Sequence, residues 1–275
     1  MKVFCKYILA IVCCGLIVGR GIPAVARVLD SLTINDMPMG ENLCALTFDD
    51  GPCRYTPQLL DSLREYGIPA TFFLLGGNAE RYPDVVRRMI EEGHEVNNHS
   101  YSHPNLRMVP LARKNREIRR TDAILRSLGA EPRFLRPPYG AYDEQTVEIA
   151  EELGLSLLLW SVDSKDWRRL PSNYALLRDA HGQMFMPGTM HGIFLFHDIH
   201  KNTVDDLPRI VEQLTAAGCQ RFVTVSEYLE GLLNGEPGLL MTRAPGLPAR
   251  MPLAVQHEVI GLAPFPSAQA DSPMF

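Results

Sequence analysis

Seven short segments that read as strands, each followed by a segment with helical periodicity, constrain this chain more than any other feature. The runs are Leu43 to Phe48, Ile68 to Leu75, His94 to Asn97, Arg133 to Arg136, Leu155 to Val162, Ile193 to Phe196 and Arg221 to Val225. The helical segments are Thr56–Tyr66, Tyr82–Gly93, Pro110–Leu128, Asp143–Leu153, Pro171–Gly182, Leu207–Ala217 and Glu227–Leu233. Successive strands joined by helical crossovers run parallel, so the expected fold is α/β, a parallel sheet with helices outside. Curling that sheet into a barrel brings the carboxyl ends of all strands to one face. Local signals fit this reading. Thr56 is placed to cap the first helix with Pro57 in its first turn, and Gly76-Gly77 stops the second strand. Val85, Val86, Met89 and Ile90 form one inward helix face, and Leu111, Ile118, Ile124 and Leu125 another.

The reactive residues sort themselves onto that face. The first run ends in Asp49 and Asp50 and then Gly51-Pro52; the third is followed by His99 and His103, the fourth by Pro137-Pro138-Tyr139. The fifth ends in Asp163-Ser-Lys-Asp166-Trp167 and the sixth in His197-Asp198. Two adjacent carboxylates repel unless a cation lies between them or one is protonated. Two imidazoles four residues apart suit one metal ion if their segment turns helically. One Asp and two His make three protein ligands and leave a position for water, the pattern of a catalytic rather than a structural zinc site. Singly, each feature has an ordinary reading: a turn cap for the Asp pair, solvated loop residues for His99 and His103, a rigid turn around Tyr139, a rim aromatic for Trp167. His94, His191 and His200 belong to no motif and are read as packing or solvated residues.

Composition excludes some partners. The 275 residues are 46% hydrophobic and 21% charged with a net charge of −5, and no basic patch interleaved with aromatics suggests nucleic acid. Lys2 and Lys6 precede an apolar run from Tyr7 to Val18, and Ala24-Val-Ala26 fits a signal-peptidase site. Residues 1–26 are therefore read as a signal peptide, with an uncleaved anchor as the alternative; the run is short of the roughly 20 residues of a membrane span. Removing that segment takes away Lys2, Lys6 and Arg20 and no acid, which moves the net charge from −5 to −8. Beyond the leader, Cys44, Cys53 and Cys219 match no zinc ribbon or redox pair; three thiols allow one disulfide and leave one over, and Cys44 reads as a buried apolar residue. Residues 27–42 are a lead-in to a domain spanning 27–233, and 234–275, where Pro and Gly recur from Gly235 on, read as a disordered tail.

Five motifs in order (TFDDGP at 47–52, His99-Ser-x-x-His103, Arg136-Pro-Pro-Tyr139, Asp163-x-x-Asp166-Trp167 and Leu195-x-His197) resemble those of the polysaccharide deacetylases, carbohydrate esterase family 4. The resemblance covers roughly residues 41–233. It implies a distorted (β/α)7 barrel, a divalent metal ion (zinc, with cobalt or nickel as alternatives) and hydrolysis of an acetyl group on a sugar, most often the N-acetyl of glucosamine units. By that resemblance Asp50, His99 and His103 hold the metal, Asp49 is the general base and His197 the general acid. Asp166 orients and charges His197, Arg136 pairs with an active-site carboxylate, the Tyr139 N–H holds the oxyanion, and Trp167 and Leu195 line the acetyl pocket. The implied partner is a polysaccharide or oligosaccharide of peptidoglycan or chitin type. Nucleic acid is not a partner, membrane contact comes only through an uncleaved leader, and the chain is expected to be a monomer. Two other functions fit the same residues: an O-acetyl esterase on a polysaccharide such as xylan, and a catalytically dead glycan-binding module.

Overall fold

The computed structural model describes residues 28–29, 42–168, 188 and 190–234. The expected leader, the helix expected over Pro171–Gly182, the loop from Arg168 to Asn173 beyond its first residue, and the tail from Gly235 lie outside them. Among the described residues, nine strands form one sheet in which every pairing is parallel. They are β1 (Val28–Leu29), β2 (Leu43–Asp49), β3 (Thr71–Leu74), β4 (Glu95–Asn98), β5 (Phe134–Leu135), β6 (Ser156–Leu158), β7 (Val162–Asp163), β8 (Gly192–His197) and β9 (Arg221–Phe222). The order is β1-β6-β5-β4-β3-β2-β8-β7, with β9 paired to the start of β2. Eight helices flank it: α1 (Thr56–Tyr66), α2 (Gly76–Arg81), α3 (Pro83–Glu91), α4 (Leu111–Ser127), α5 (Glu144–Glu152), α6 (Lys201–Asp205), α7 (Leu207–Ala216) and α8 (Val225–Asn234). This curled parallel sheet is the distorted barrel expected.

The fifth predicted strand is where the distortion lies. Leu155 to Val162 reads as one apolar run, yet the backbone breaks at Leu159–Ser161. Its first half, β6, pairs with β1 and β5, and its second half, β7, pairs with β8 on the other side of the sheet. One run thus spans the gap between the two ends of the curl, and no straight strand could hydrogen-bond to both sides. The two-residue β1 lies in the stretch read as an unpatterned lead-in.

β2 sits at the centre with all seven residues buried. Side chains alternate across a strand. Cys44, Leu46 and Phe48 join the outer core against α1, α3 and α7, while Leu43 and Ala45 join the inner core with Phe73, Ile193, Tyr228 and Leu229. At the amino end of the barrel α8 forms a floor. Val225 N donates to Thr71 Oγ1 at 2.9 Å, and Ser226 donates to Glu95 through N (3.1 Å) and Oγ (2.7 Å). The inner row of β2 continues upward as Thr47 and Asp49, polar residues at the opposite, carboxyl end.

Several local expectations are corrected. Thr56 lies inside α1, with Tyr55 at the cap position, and its hydroxyl serves other partners described below. Gly76-Gly77 opens the short α2 rather than only ending a strand. Leu111 is 48% exposed, because the inward face of α4 is built partly from Lys114, Glu117, Thr121 and Asp122 beside Ile118 and Leu125. Cys44 is buried but is not a lone apolar residue: it is disulfide-bonded to Cys219, and Cys53 is the thiol left over.

The outer core predicts a measurable loss. Phe48 is fully buried and stacks between Phe72 and Phe196, with ring centroids 5.5 and 5.7 Å away. Phe48→Ala should lower the unfolding free energy by about 3–5 kcal/mol in a chemical denaturation series.

Candidate active site

Asp49 and Asp50 end β2 as neighbours but turn to different partners. Asp49 keeps the strand's alternation and points inward, where its Oδ1 accepts from Arg136 Nη1 at 2.8 Å. Asp50 takes a left-handed backbone (φ 73°) that swings its carboxylate toward the histidines. Asn78 Nδ2 donates to the Asp50 carbonyl at 2.7 Å, and the Leu75 N–H to the Gly51 carbonyl at 3.1 Å, holding the turn from the β3 side.

His99 and His103 reach one point without a helix. The segment is an irregular loop in which Ser100 (φ 69°) and His103 (φ 60°) are left-handed. Side chains supply what a helix would have supplied. Asn98 Oδ1 accepts the Ser100 N–H, and the Glu117 carboxylate on α4 accepts the N–H groups of Tyr101 (3.0 Å) and Ser102 (2.8 Å) and the Ser102 hydroxyl (2.8 Å). His99 Nδ1 lies 2.7 Å from the Arg136 carbonyl, which only accepts, so Nδ1 carries the proton and Nε2 presents a lone pair.

That lone pair and the Nε2 of His103 face the same oxygen. Asp50 Oδ1 is 3.5 Å from His99 Nε2 and 3.2 Å from His103 Nε2. It is buried and has no hydrogen-bond partner. The donor atoms of Asp50, His99 and His103 lie within 4.8 Å of one another. Burial, against the pull of Asp50, lowers the His103 pKa and favours the neutral imidazole a cation requires. An orphaned buried carboxylate oxygen with two converging imidazole nitrogens fits a divalent cation of nitrogen–oxygen preference.

Arg136, at the end of β5, is fully buried. Besides Asp49 it donates to Thr47 Oγ1 (2.7 Å) and to the carbonyls of Leu159 (2.9 Å) and Leu158 (3.4 Å), and its guanidinium lies 3.9 Å from the Phe73 ring centroid. Leu158 is the last residue of β6 and Leu159 the first of the break that follows it. Opposite stands His197, which β8 places in register with Asp49. Its Nδ1 lies 2.7 Å from Asp166 Oδ1, and its N–H donates to Asp166 Oδ2 at 2.8 Å, where Thr203 Oγ1 also donates. Burial alone would lower the His197 pKa. The hydrogen bond and charge of Asp166, helped by Asp49 and Asp50, win and push it up to about 9. The same partner outweighs burial at Asp166 and lowers its pKa.

Leu195 lies buried on the inner row of β8, two residues before His197. Trp167 stands at the rim, 47% exposed, with its Nε1 3.4 Å from Asp163 Oδ1 and Arg168 over its ring. Tyr139 is left-handed (φ 60°), and its exposed ring packs edge-on to His103 at 4.6 Å. The ten residues expected at the site thus lie at or just beyond the carboxyl ends of β2, β4, β5, β7 and β8. The sequence reading passed over Glu117, Asn98 and Thr203, and took Asp198 only as a strand end; its carboxyl is fully buried and raised to about 7 by that burial, with the charge of Asp50 adding to it. It also set His200 aside, although the ring lies 5.7 Å from that of His197. His94 is a packing residue as read, its Nδ1 accepting the Ala70 N–H while burial lowers its pKa to about 4.

Sequence comparison matches residues 36–158 to the family described as polysaccharide deacetylase. A peptidoglycan-N-acetylglucosamine deacetylase of Bacillus cereus is 40% identical over 199 residues, which cover 70% of this chain and 70% of that protein. The chain belongs to the polysaccharide deacetylase family. The peptidoglycan-N-acetylglucosamine deacetylase PgdA of Listeria monocytogenes is 39% identical over 195 residues, and there the match spans 70% of this chain but 40% of the relative's length. Among solved structures, the Bc1960 peptidoglycan N-acetylglucosamine deacetylase is 37% identical with a TM-score of 0.59, over 69% of this chain and 88% of that one. The fold extends to BA3943 of Bacillus anthracis, described as a pseudoenzyme of the same family, at 24% identity and a TM-score of 0.61 over 70% of this chain and 66% of that one. As a member of the family the chain is a hydrolase.

The ion pair at His197 sets a test. Asp166→Asn removes the charge and leaves burial in place, so in NMR titrations of the metal-free protein the His197 pKa should fall from about 9 toward the ordinary 6.5. A value still near 9 would show that Asp166 does not set it.

Proposed function

We propose that this deacetylase removes N-acetyl groups from N-acetylglucosamine units of a cell-envelope glycan, with peptidoglycan as the preferred substrate class, and acts outside the cytoplasm after export. The observation that carries the reading is the His197–Asp166 pair. An amide leaves as an amine only when protonated, and an imidazole held charged well above neutrality is suited to supply that proton. An ester oxygen needs less help, which favours the N-acetyl over the O-acetyl reading. A dead binding module would have no use for a charged His197 facing a carboxylate fixed by Arg136.

Asp50, His99 and His103 would hold the metal, with zinc as the first choice. When bound, such an ion lowers the pKa of water toward about 7 and polarises the acetyl carbonyl. Asp49 would accept the proton of the attacking water, its carboxylate aimed by the bond from Arg136 Nη1. The Tyr139 N–H donates to the developing oxyanion, a contact whose loss typically costs about 10²–10³ in rate. His197 gives its proton to the departing nitrogen, and Leu195 and Trp167 enclose the acetyl methyl.

The decisive measurement is acetate release, with and without chelator, from N-acetylglucosamine oligomers, peptidoglycan and acetylated xylan. Chelator-sensitive release from the first two is expected; release from xylan alone would overturn the N-acetyl reading. Asp49→Asn should keep its zinc by elemental analysis yet lose at least about 10²-fold in kcat. The alkaline limb of kcat/KM should fall no higher than about pH 9 and move to lower pH in Asp166→Asn, since His197 must be protonated to act and deprotonates earlier without its partner.

A further inference from the structure

His197 and Asp198 are neighbours in the chain, but only His197 enters the chemistry described above. The Asp198 side chain is fully buried behind the turn that carries Asp50. Its Oδ2 accepts from Thr56 Oγ1 at 2.5 Å, and its Oδ1 has no hydrogen-bond partner. Thr56 Oγ1 in turn accepts the Cys53 N–H at 2.8 Å, and the Cys53 thiol faces the Asp198 carbonyl at 3.4 Å. A Cβ built on Gly51 would lie 2.2 Å from Asp198 Oδ2, so the turn is glycine where the carboxyl presses against it. Asn78 and Leu75 hold the turn from one side; the Asp198–Thr56 pair backs it from the other. The sequence hides this, because an Asp after the general-acid histidine reads as a strand-end cap.

We propose that Asp198 is a positioning residue for metal binding, which with Thr56 braces the Asp50–Cys53 turn so that Asp50 meets His99 and His103. The proposal rests on the metal-ligand reading above. Asp198 touches neither metal nor substrate. It acts through the backbone of the turn, and so its removal changes where the Asp50 carboxylate sits. Groups that orient metal ligands from behind typically change affinity by about 10–100-fold when lost.

The test is a Zn²⁺ titration of the metal-stripped full chain against a chromophoric chelator, alongside circular dichroism and thermal unfolding. Asp198→Ala and Thr56→Val should bind Zn²⁺ at least about tenfold more weakly while still unfolding cooperatively. Gly51→Ala should also bind weakly, and Gly51→Ala combined with Asp198→Ala should recover the affinity of Asp198→Ala alone, because the collision is then gone. A merely structural role would lower Tm and leave Zn²⁺ affinity untouched. Folded variants with wild-type affinity overturn the proposal. Should Asp198→Ala fail to fold, Thr56→Val and Gly51→Ala decide by the same criterion. A wild-type chain that binds no Zn²⁺ overturns the metal reading itself and the proposal with it.

Discussion

The site depends on a guanidinium sealed inside the barrel. Arg136 is fully buried, and a charge in such a place is tolerated only when paired and hydrogen-bonded. Asp49, Thr47 and the carbonyls of Leu158 and Leu159 take its donors, and Phe73 lies against its face. Each contact has a second effect. Asp49 is aimed, and the carbonyls released where the fifth strand breaks find a donor. The arginine's own carbonyl accepts from His99 Nδ1 and so selects the tautomer that offers Nε2 to a cation. One residue therefore couples Asp49, His99 and the barrel seam. Removing one partner of such a buried pair leaves the other charge uncompensated, at a cost of about 3–5 kcal/mol.

Adjacent carboxylates acquire separate partners through backbone geometry alone. Asp49 continues the in–out alternation of β2 and meets the arginine, whereas one left-handed residue turns Asp50 away from it to the imidazoles. Without that reversal the two would share an environment and repel. The left-handed Ser100 and His103 work in the same way on the facing loop, and Glu117 and Asn98 absorb the N–H groups those turns leave over. The strain sits at the mouth, and the helices behind it supply the compensating bonds.

Much of this was legible in the chain. Strand ends were readable because apolar runs stop abruptly at Asp49 and His197 and shorter strand-like segments end at Asn97 and Arg136, and parallel topology then sends them all to one face. Asp50, His99, His103, Arg136, Asp166 and His197 could be found because each lies within a few residues of such an end. Contacts between distant elements were not legible. Glu117 looks like any helical glutamate until α4 is docked beneath the histidine loop, and Thr203 gains meaning only once α6 lies beside Asp166. The break at Leu159–Ser161 was hidden for a different reason: nothing in a run of leucines records that its two halves must serve opposite sides of a curled sheet. A helical turn for His99–His103 was the natural reading of the spacing, and tertiary hydrogen bonds overrode it.

The bond between Cys44 and Cys219 joins the central strand to the segment just before β9, across 175 residues of sequence. Nearly the whole domain is thereby a single covalent ring. A protease that nicks any surface loop inside the ring produces no free fragment; the severed ends stay tethered at the heart of the sheet, as neighbours rather than strangers. Only reagents that open the bond turn such a cut into two pieces. Wherever proteases reach this enzyme, that ring separates being clipped from being lost.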